Sequence, residues 1–291
     1  MTLERIVSGK LDRNLLLLLY AQEGVGKSTF ASKAENPIYL CSEDGTDELD
    51  VSRFTPTTWD EVITFINQLC NDDHGYKTLV IDTLDWLELI MFHHLTSGLR
   101  PIEDIAGGYG KWVGVVNAEW KRFMTLLTKV RKKMPIIILA HAQVKTFHDP
   151  INNAPYDRYE LKLHSQKSSL LWKEYVDTLL FATIEVTVKD DGERKAKAYG
   201  KGVRVMFSEH RPAFDAKCRK QVPFEMPLCL DTFVTNALNS NDLVKLKNKI
   251  MEEITKCSNE DKLVHIAELK KITANKDALV SYYELLTKGE K

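Results

Sequence analysis

The sequence predicts an α/β fold with a mostly parallel central sheet, a β-rich end and a helical C-terminal appendage. Three observations carry that expectation. Apolar runs of strand length alternate with helical patterns as far as Ala140, which suits strands joined by right-handed crossovers. A glycine loop sits between the first apolar run and the first helix start. Beyond Trp172 the pattern turns β-rich, and from Leu230 onward it is almost wholly helical.

The first element is the strand Leu15 to Tyr20, followed by Ala21-Gln22-Glu23-Gly24-Val25-Gly26-Lys27-Ser28-Thr29. Glycines at 24 and 26 let backbone N–H groups close around phosphate oxygens with no Cβ in the way. Lys27 is spaced to reach the β and γ phosphates, and the Ser28 hydroxyl to ligate Mg²⁺. The segment Glu23, Gly24, Val25, Gly26, Lys27, Ser28, Thr29 is therefore expected to hold ATP. It departs from G-x-x-x-x-G-K-[ST] at one position, where Ala21 replaces the first glycine.

The next strand is Ile38 to Cys41, and Thr58-x-x-Glu61 reads as a capping box that opens a helix to about Cys70. Lys77 to Thr83 is a buried-strand run ending at Asp82, where a P-loop enzyme keeps the carboxylate that holds the water shell of Mg²⁺. A helix is expected near Leu84 to Leu99, then a loop marked by Pro101, Gly107, Gly108 and Gly110. Trp112, Val116, Trp120, Phe123, Leu127, Val130 and Met134 form a core-facing helical stripe, which Pro135 ends. Ile136 to Ala140 is another buried strand. In such a sheet, ligands bind at the carboxyl ends of the strands.

From His141 to His164 the chain is polar, carries Pro150 and Pro155 and has no clear period, so a long functional loop is expected. Leu179 to Val188 and Val203 to Phe207 read as strands flanking an Asp190-Asp191-Gly192 turn. The expected organisation is an N-terminal arm over 1–14, an ATPase domain over 15–228 and a helical tail over 229–291.

Composition narrows the function. With 44% hydrophobic residues among 291, the chain can bury a full core. It shows no apolar run of membrane length and no charged-then-apolar leader, so a cytoplasmic protein without a membrane partner is expected. Five cysteines without C-x-x-C spacing argue against zinc and against a disulfide framework. A formal net charge of −1 gives no general affinity for polyanions. Its distribution is uneven, because Lys and Arg outnumber Asp and Glu between residues 141 and 220 while the remainder is net acidic.

The glycine loop, Ser42-Glu43 after the second strand, Val80-Ile81-Asp82, the strand end Leu139-Ala140-His141-Ala142-Gln143 and Ala216-Lys217-Cys218-Arg219 together resemble the RecA-like ATPase fold. More narrowly, the chain resembles AAA-type ATP-binding proteins that tailed phages carry in recombination cassettes. The likeness covers roughly residues 6 to 228.

This resemblance implies roles. Glu43 matches the acid that polarises the attacking water, with Asp44 its nearest competitor. Gln143 matches the residue that senses the γ phosphate, a role His141 could also fill. Lys145, Tyr156, Arg158, Tyr159 and Lys162 fall in the segment matching the DNA loop, where rings stack on bases and cations meet phosphates. Lys217 and Arg219 match a K-x-R pair inserted into the neighbouring subunit's nucleotide, although Gln221 stands where relatives often have glycine. The implied protein is an ATP- and Mg²⁺-dependent ATPase that binds single-stranded DNA, forms a ring or filament and promotes annealing or strand pairing, with a single-strand-binding protein as a further partner. The alternatives are a helicase-like or helicase-loading motor and a non-hydrolysing ATP-binding switch.

Overall fold

The computed structural model describes residues 6, 8, 9, 13–149, 154–189, 197–200, 202–256, 259–272, 281–283, 285 and 286. Most of the expected N-terminal arm and the whole Asp190-Asp191-Gly192 turn lie outside the described residues. The described chain falls into two compact units, one ending at Cys218 with 224–230 added, the other formed by 219–223 and 231–291.

The first unit is built around β1 (Leu16–Ala21), buried at every position. A strand covered on both faces and both edges reads as one unbroken apolar run, which is why Leu16-Leu17-Leu18-Leu19 carries no alternation. The short helix α1 (Lys27–Ala31) comes after the glycine loop, and β2 (Pro37–Cys41) and β3 (Ser52–Phe54) lie further along the sheet. Helix α2 (Trp59–Asn71) starts at the expected capping box: Glu61 N–H donates to the Thr58 side chain, and the Glu61 carboxylate accepts from Thr58 N–H. Strand β4 (Thr78–Asp82) ends on the expected aspartate, and α3 (Leu84–Thr96) begins two residues later. The Pro and Gly-rich stretch contains a 3₁₀ segment, Ile102–Gly107. Helix α4 (Trp112–Val130) buries Val116, Trp120, Phe123, Leu127 and Val130, the stripe read from the sequence.

The sequence expectation fails between His141 and His164. Strand β5 runs from Ile136 through Asp149, and β6 (Ala154–Leu161) returns antiparallel to it, from Ala142 opposite Leu161 to Asp149 opposite Ala154. This is a long hairpin, not an aperiodic loop. In its outer part Val144, Lys145, Thr146 and His148 are exposed, and the most buried position of the other strand is the charged Arg158, so the apolar-polar alternation that marks a half-buried strand is missing from the sequence. Helix α5 (Gln166–Tyr175), capped by Ser165, leads into β7 (Thr178–Ile184). Strands β8 (Thr187–Lys189) and β9 (Lys197–Tyr199) pair antiparallel, and β10 (Arg204–Phe207), β11 (Lys217–Cys218) and β12 (Glu225–Pro227) complete the unit.

The main sheet has the order β12-β10-β7-β1-β5-β4-β2-β3, and every neighbouring pair from β7 to β3 is parallel. Strand β10 runs antiparallel to β7 and to β12, which is the expected β-rich end. The fold is thus α/β with a mostly parallel sheet. On one face, Leu16, Leu18 and Tyr20 pack in a single cluster with Trp59, Trp120, Phe123 and Trp172. Trp120 meets Trp59 and Trp172 edge-on at 5.9 and 5.1 Å, geometries that favour aromatic pairs.

In the second unit, α6 (Leu230–Lys256) and α7 (Asn259–Ile272) account for most described residues, as expected of the tail. Ile250 and Ile254 of α6 are buried with Leu269 of α7, and Tyr282, Tyr283 and Leu286 pack against them. Among the described residues no helix is long and apolar enough to cross a membrane.

Candidate nucleotide-binding site

The parallel register brings three chemically distinct strand ends together. Ala21 closes β1 opposite His141 of β5, Ile81 of β4 lies opposite Ile138 of β5, and Cys41 of β2 lies opposite Asp82. The glycine loop, His141, Asp82 and the Ser42-Glu43 turn therefore converge at one edge of the sheet. Ser42 stitches two of these ends together, since its N–H donates to Asp82 O (2.8 Å) and its hydroxyl to Thr83 O (2.7 Å). A cavity of about 500 Å³ opens there, lined by Gly24, Gly26, Lys27, Ser28, Thr29, Glu43, Asp44, Trp86, His141 and Arg204 among others.

The loop conformation explains its glycines and its one departure from the motif. Gly24 has φ +73° and Gly26 φ +105°, values that L side chains resist. A Cβ on Gly24 would meet nothing within 4 Å, so the backbone angle, not crowding, demands glycine there. Ala21, by contrast, is the last residue of β1 and is paired with both flanking strands. Extended backbone accepts alanine without strain, so that substitution costs the loop nothing.

Lys27 is buried and its Nζ donates to Gln22 O at 3.2 Å, folded back under the loop. Burial pulls its ammonium below the usual lysine range, partly opposed by Glu43, Asp82 and Asp85. Asp82 is buried, facing Ser28, and burial raises its carboxyl against the Ser28 hydrogen bond and the Lys27 charge. Its Oδ1 has no hydrogen-bond partner. A buried carboxylate oxygen left open beside a serine hydroxyl fits a hydrated Mg²⁺, a cation that keeps several waters and takes one or two protein oxygens. Glu43 is also lifted above the usual carboxylate range by burial, with His141 pulling the other way and Asp82 adding to the rise.

The structure separates the two γ-phosphate candidates. His141 lines the cavity with its Nε2 4.0 Å from Glu43 Oε1, whereas Gln143 turns into the hairpin and donates to Leu161 O at 3.2 Å. His141 is held by Asp85, whose two carboxylate oxygens take the His141 N–H (3.0 Å) and face its Nδ1 (2.9 Å). Burial alone would raise the Asp85 carboxyl, but these His141 contacts outweigh it and hold it low. Sequence reasoning passed over Asp85, which looks like an ordinary acid in the first turn of α3, and Arg204, whose place depends on β10 pairing with β7.

The remaining expected residues scatter. On the hairpin Lys145 is exposed, and Tyr156 is half-buried with its ring 5.4 Å from Phe147. Arg158 is buried and ion-paired with Asp215 and Glu160, so its charge is directed inward. Tyr159 stacks on Phe181 at 4.9 Å, and Lys162 is half-exposed with Nζ 4.0 Å from Asp85. Lys217 donates to Glu174 O at 3.4 Å, and Arg219 is exposed.

Comparison with known proteins decides the family. Residues 13–220 match the sequence profile of an AAA domain. The chain belongs to the AAA domain family. No curated protein matches the sequence. Among solved structures, the crystal structure of the RadB recombinase aligns with this AAA domain protein at 17% identity and a TM-score of 0.40, covering 70% of this chain and 85% of that one. Family membership agrees with the P-loop read from the glycine loop.

Proposed function

We propose that this AAA domain protein is an ATP- and Mg²⁺-dependent, DNA-binding ATPase that assembles head to tail and promotes single-strand annealing or strand pairing in phage recombination. One observation carries the reading. Lys27, Ser28, Glu43 and His141 line one cavity with Asp82 buried against Ser28, and β5, which presents His141 there, continues unbroken into the β5–β6 hairpin.

In this reading the loop amides and Lys27 hold the phosphates, while Ser28 and Asp82 would hold Mg²⁺, which supplies charge neutralisation at the β and γ phosphates. Glu43 orients a water in line with the γ phosphate and takes its proton; burial lifts its carboxyl, which makes it a stronger base than an exposed glutamate. Asp85 fixes the His141 ring toward Glu43, so a change at the γ-phosphate end reaches the hairpin through a single strand. Lys145 and Tyr156 on the hairpin offer a cation and a ring to a single strand.

Assembly is supported by where Lys217 sits. It pairs with Leu179, which pairs with Leu18, three residues short of the strand end at Ala21. At roughly 3.3 Å per residue this puts Lys217 about 10 Å down the sheet from its own glycine loop. A lysine there, with Arg219 beside it in sequence, suits the nucleotide of a neighbouring copy, as head-to-tail stacking requires. The test is to mix complementary labelled oligonucleotides with the protein, Mg²⁺ and ATP. Faster annealing supports the reading; unwinding of a forked duplex without annealing points to a helicase-like motor, and nucleotide binding without hydrolysis points to a switch.

A further inference from the structure

Arg204 stands outside every role described above. It opens β10, and its backbone is fixed on two sides: it pairs with Ile184 of β7, and its carbonyl accepts Leu228 N–H at 3.0 Å. Its side chain reaches into the cavity of the glycine loop, where a Cβ at Gly26 would lie 3.6 Å from Nη1 and 3.8 Å from Cζ. Gly26 is held to glycine by its φ of +105°, and the Arg204 guanidinium lies in van der Waals contact above it.

The charge balance of the cavity singles this side chain out. Glu23, Glu43, Asp44 and Glu48 line it, against the basic side chains of Lys27 and Arg204. Lys27 is surrounded by carboxylates, but among the described residues no carboxylate lies within 4.0 Å of the Arg204 guanidinium. A guanidinium in an acid-lined cavity that pairs with none of those acids keeps all its donors for a ligand, and its planar fork matches phosphate.

We propose that Arg204 binds the α and β phosphates of a nucleotide held by the glycine loop of the same chain. The proposal rests on the nucleotide reading above. Sheet order gives the side from which it approaches the nucleotide. Asp82 ends β4 and Glu43 comes after β2, both on one side of β1, whereas β10 lies on the other side beyond β7. Arg204 therefore approaches the glycine loop from the side opposite Asp82 and Glu43. Its contact over Gly26 puts the fork above the loop whose backbone amides would cradle the phosphate chain.

The test is equilibrium binding of fluorescently labelled ATP and ADP to the full chain, diluted until light scattering shows a monomer. Arg204→Ala, with unchanged circular dichroism, should weaken ATP and ADP by the same factor, tenfold or more, because both carry the inner phosphates. Arg204→Lys should recover part of the loss, as charge without the fork. Unchanged affinity for both nucleotides overturns the proposal, as does a loss confined to ATP or one seen only in the oligomer. If wild type binds neither nucleotide, the nucleotide reading itself falls; binding abolished by Lys27→Ala but untouched by Arg204→Ala overturns the Arg204 role alone.

Discussion

Asp215 joins three parts of the first unit, and Asp215→Asn should cost it a measurable share of its stability. Its carboxylate accepts from Arg158 on β6, from Lys173 on α5 (2.5 Å) and from His210 (2.9 Å), while its backbone exchanges hydrogen bonds with the Tyr20 hydroxyl on β1. Arg158 and Lys173 are 6% and 10% exposed, and Glu160 is the other carboxylate between them. Removing the Asp215 charge leaves two buried cations on one acid. Breaking a buried pair costs about 3–5 kcal/mol, and because Asp215 is 25% exposed the lower end applies, about 3 kcal/mol. For a unit of this size each kcal/mol moves the unfolding midpoint by about 2–4 °C, so a fall of about 6–12 °C is expected at pH 7. Burial pushes the Asp215 carboxyl up, but Lys173 and Arg158 outweigh it and hold it below the usual range. A depressed carboxylate stabilises above its unfolded pKa of about 3.9, and that contribution is lost as pH falls through the folded value. Thermal and urea unfolding followed by circular dichroism should thus show the gap to wild type full at pH 7 and closing below about pH 4. A midpoint within about 2 °C of wild type at pH 7 would refute the reasoning.

The same geometry sets other outcomes. Glu43→Gln should keep ATP and DNA binding but slow hydrolysis about a hundredfold or more; normal turnover would pass the role to Asp44 or elsewhere. Glu88, whose carboxyl burial raises to about 7 against hydrogen bonds from His164 N–H and Trp120 Nε1–H, destabilises the fold as pH rises through 7. Set against its ordinary 4.5, this is worth about 3 kcal/mol, so Glu88→Gln should be the more stable protein at pH 8 and lose that advantage near pH 4.5; equal urea midpoints at pH 8 would count against it. Lys145→Ala and Tyr156→Ala should each weaken single-strand binding, and Lys145→Ala should also flatten its salt dependence, read by fluorescence anisotropy. A Lys217→Ala/Arg219→Ala protein should hydrolyse ATP poorly yet regain activity when mixed with excess Lys27→Ala subunits; no recovery in a confirmed mixed assembly would end the trans role.

Much of the fold was legible because its signals are local. The Thr58 capping box, the apolar run ending at Asp82 and the α4 stripe each depend on neighbours a few residues away. The glycine loop was legible for the same reason, and its Ala21 turned out to fall on strand backbone. The hairpin was not, because the most buried position of its outer half is the charged Arg158, so its covered face leaves no apolar period in the sequence. Arg158 illustrates the limit on charges: nothing beside it in sequence reveals Asp215, 57 residues away, as the acid that draws it inward. His141, Asp85 and Arg204 belong to the same class, since strand register and pairing across the sheet, not spacing, bring them to one cavity.

Phosphate release from ATP by the purified protein, with and without Mg²⁺ and single-stranded DNA and beside Lys27→Ala, tests the proposed ATPase most directly. The expected result is Mg²⁺-dependent turnover that rises with DNA and disappears in a folded Lys27→Ala protein. Turnover that persists in Lys27→Ala, or wild-type protein that neither binds nor hydrolyses ATP when Mg²⁺ is present, would contradict it.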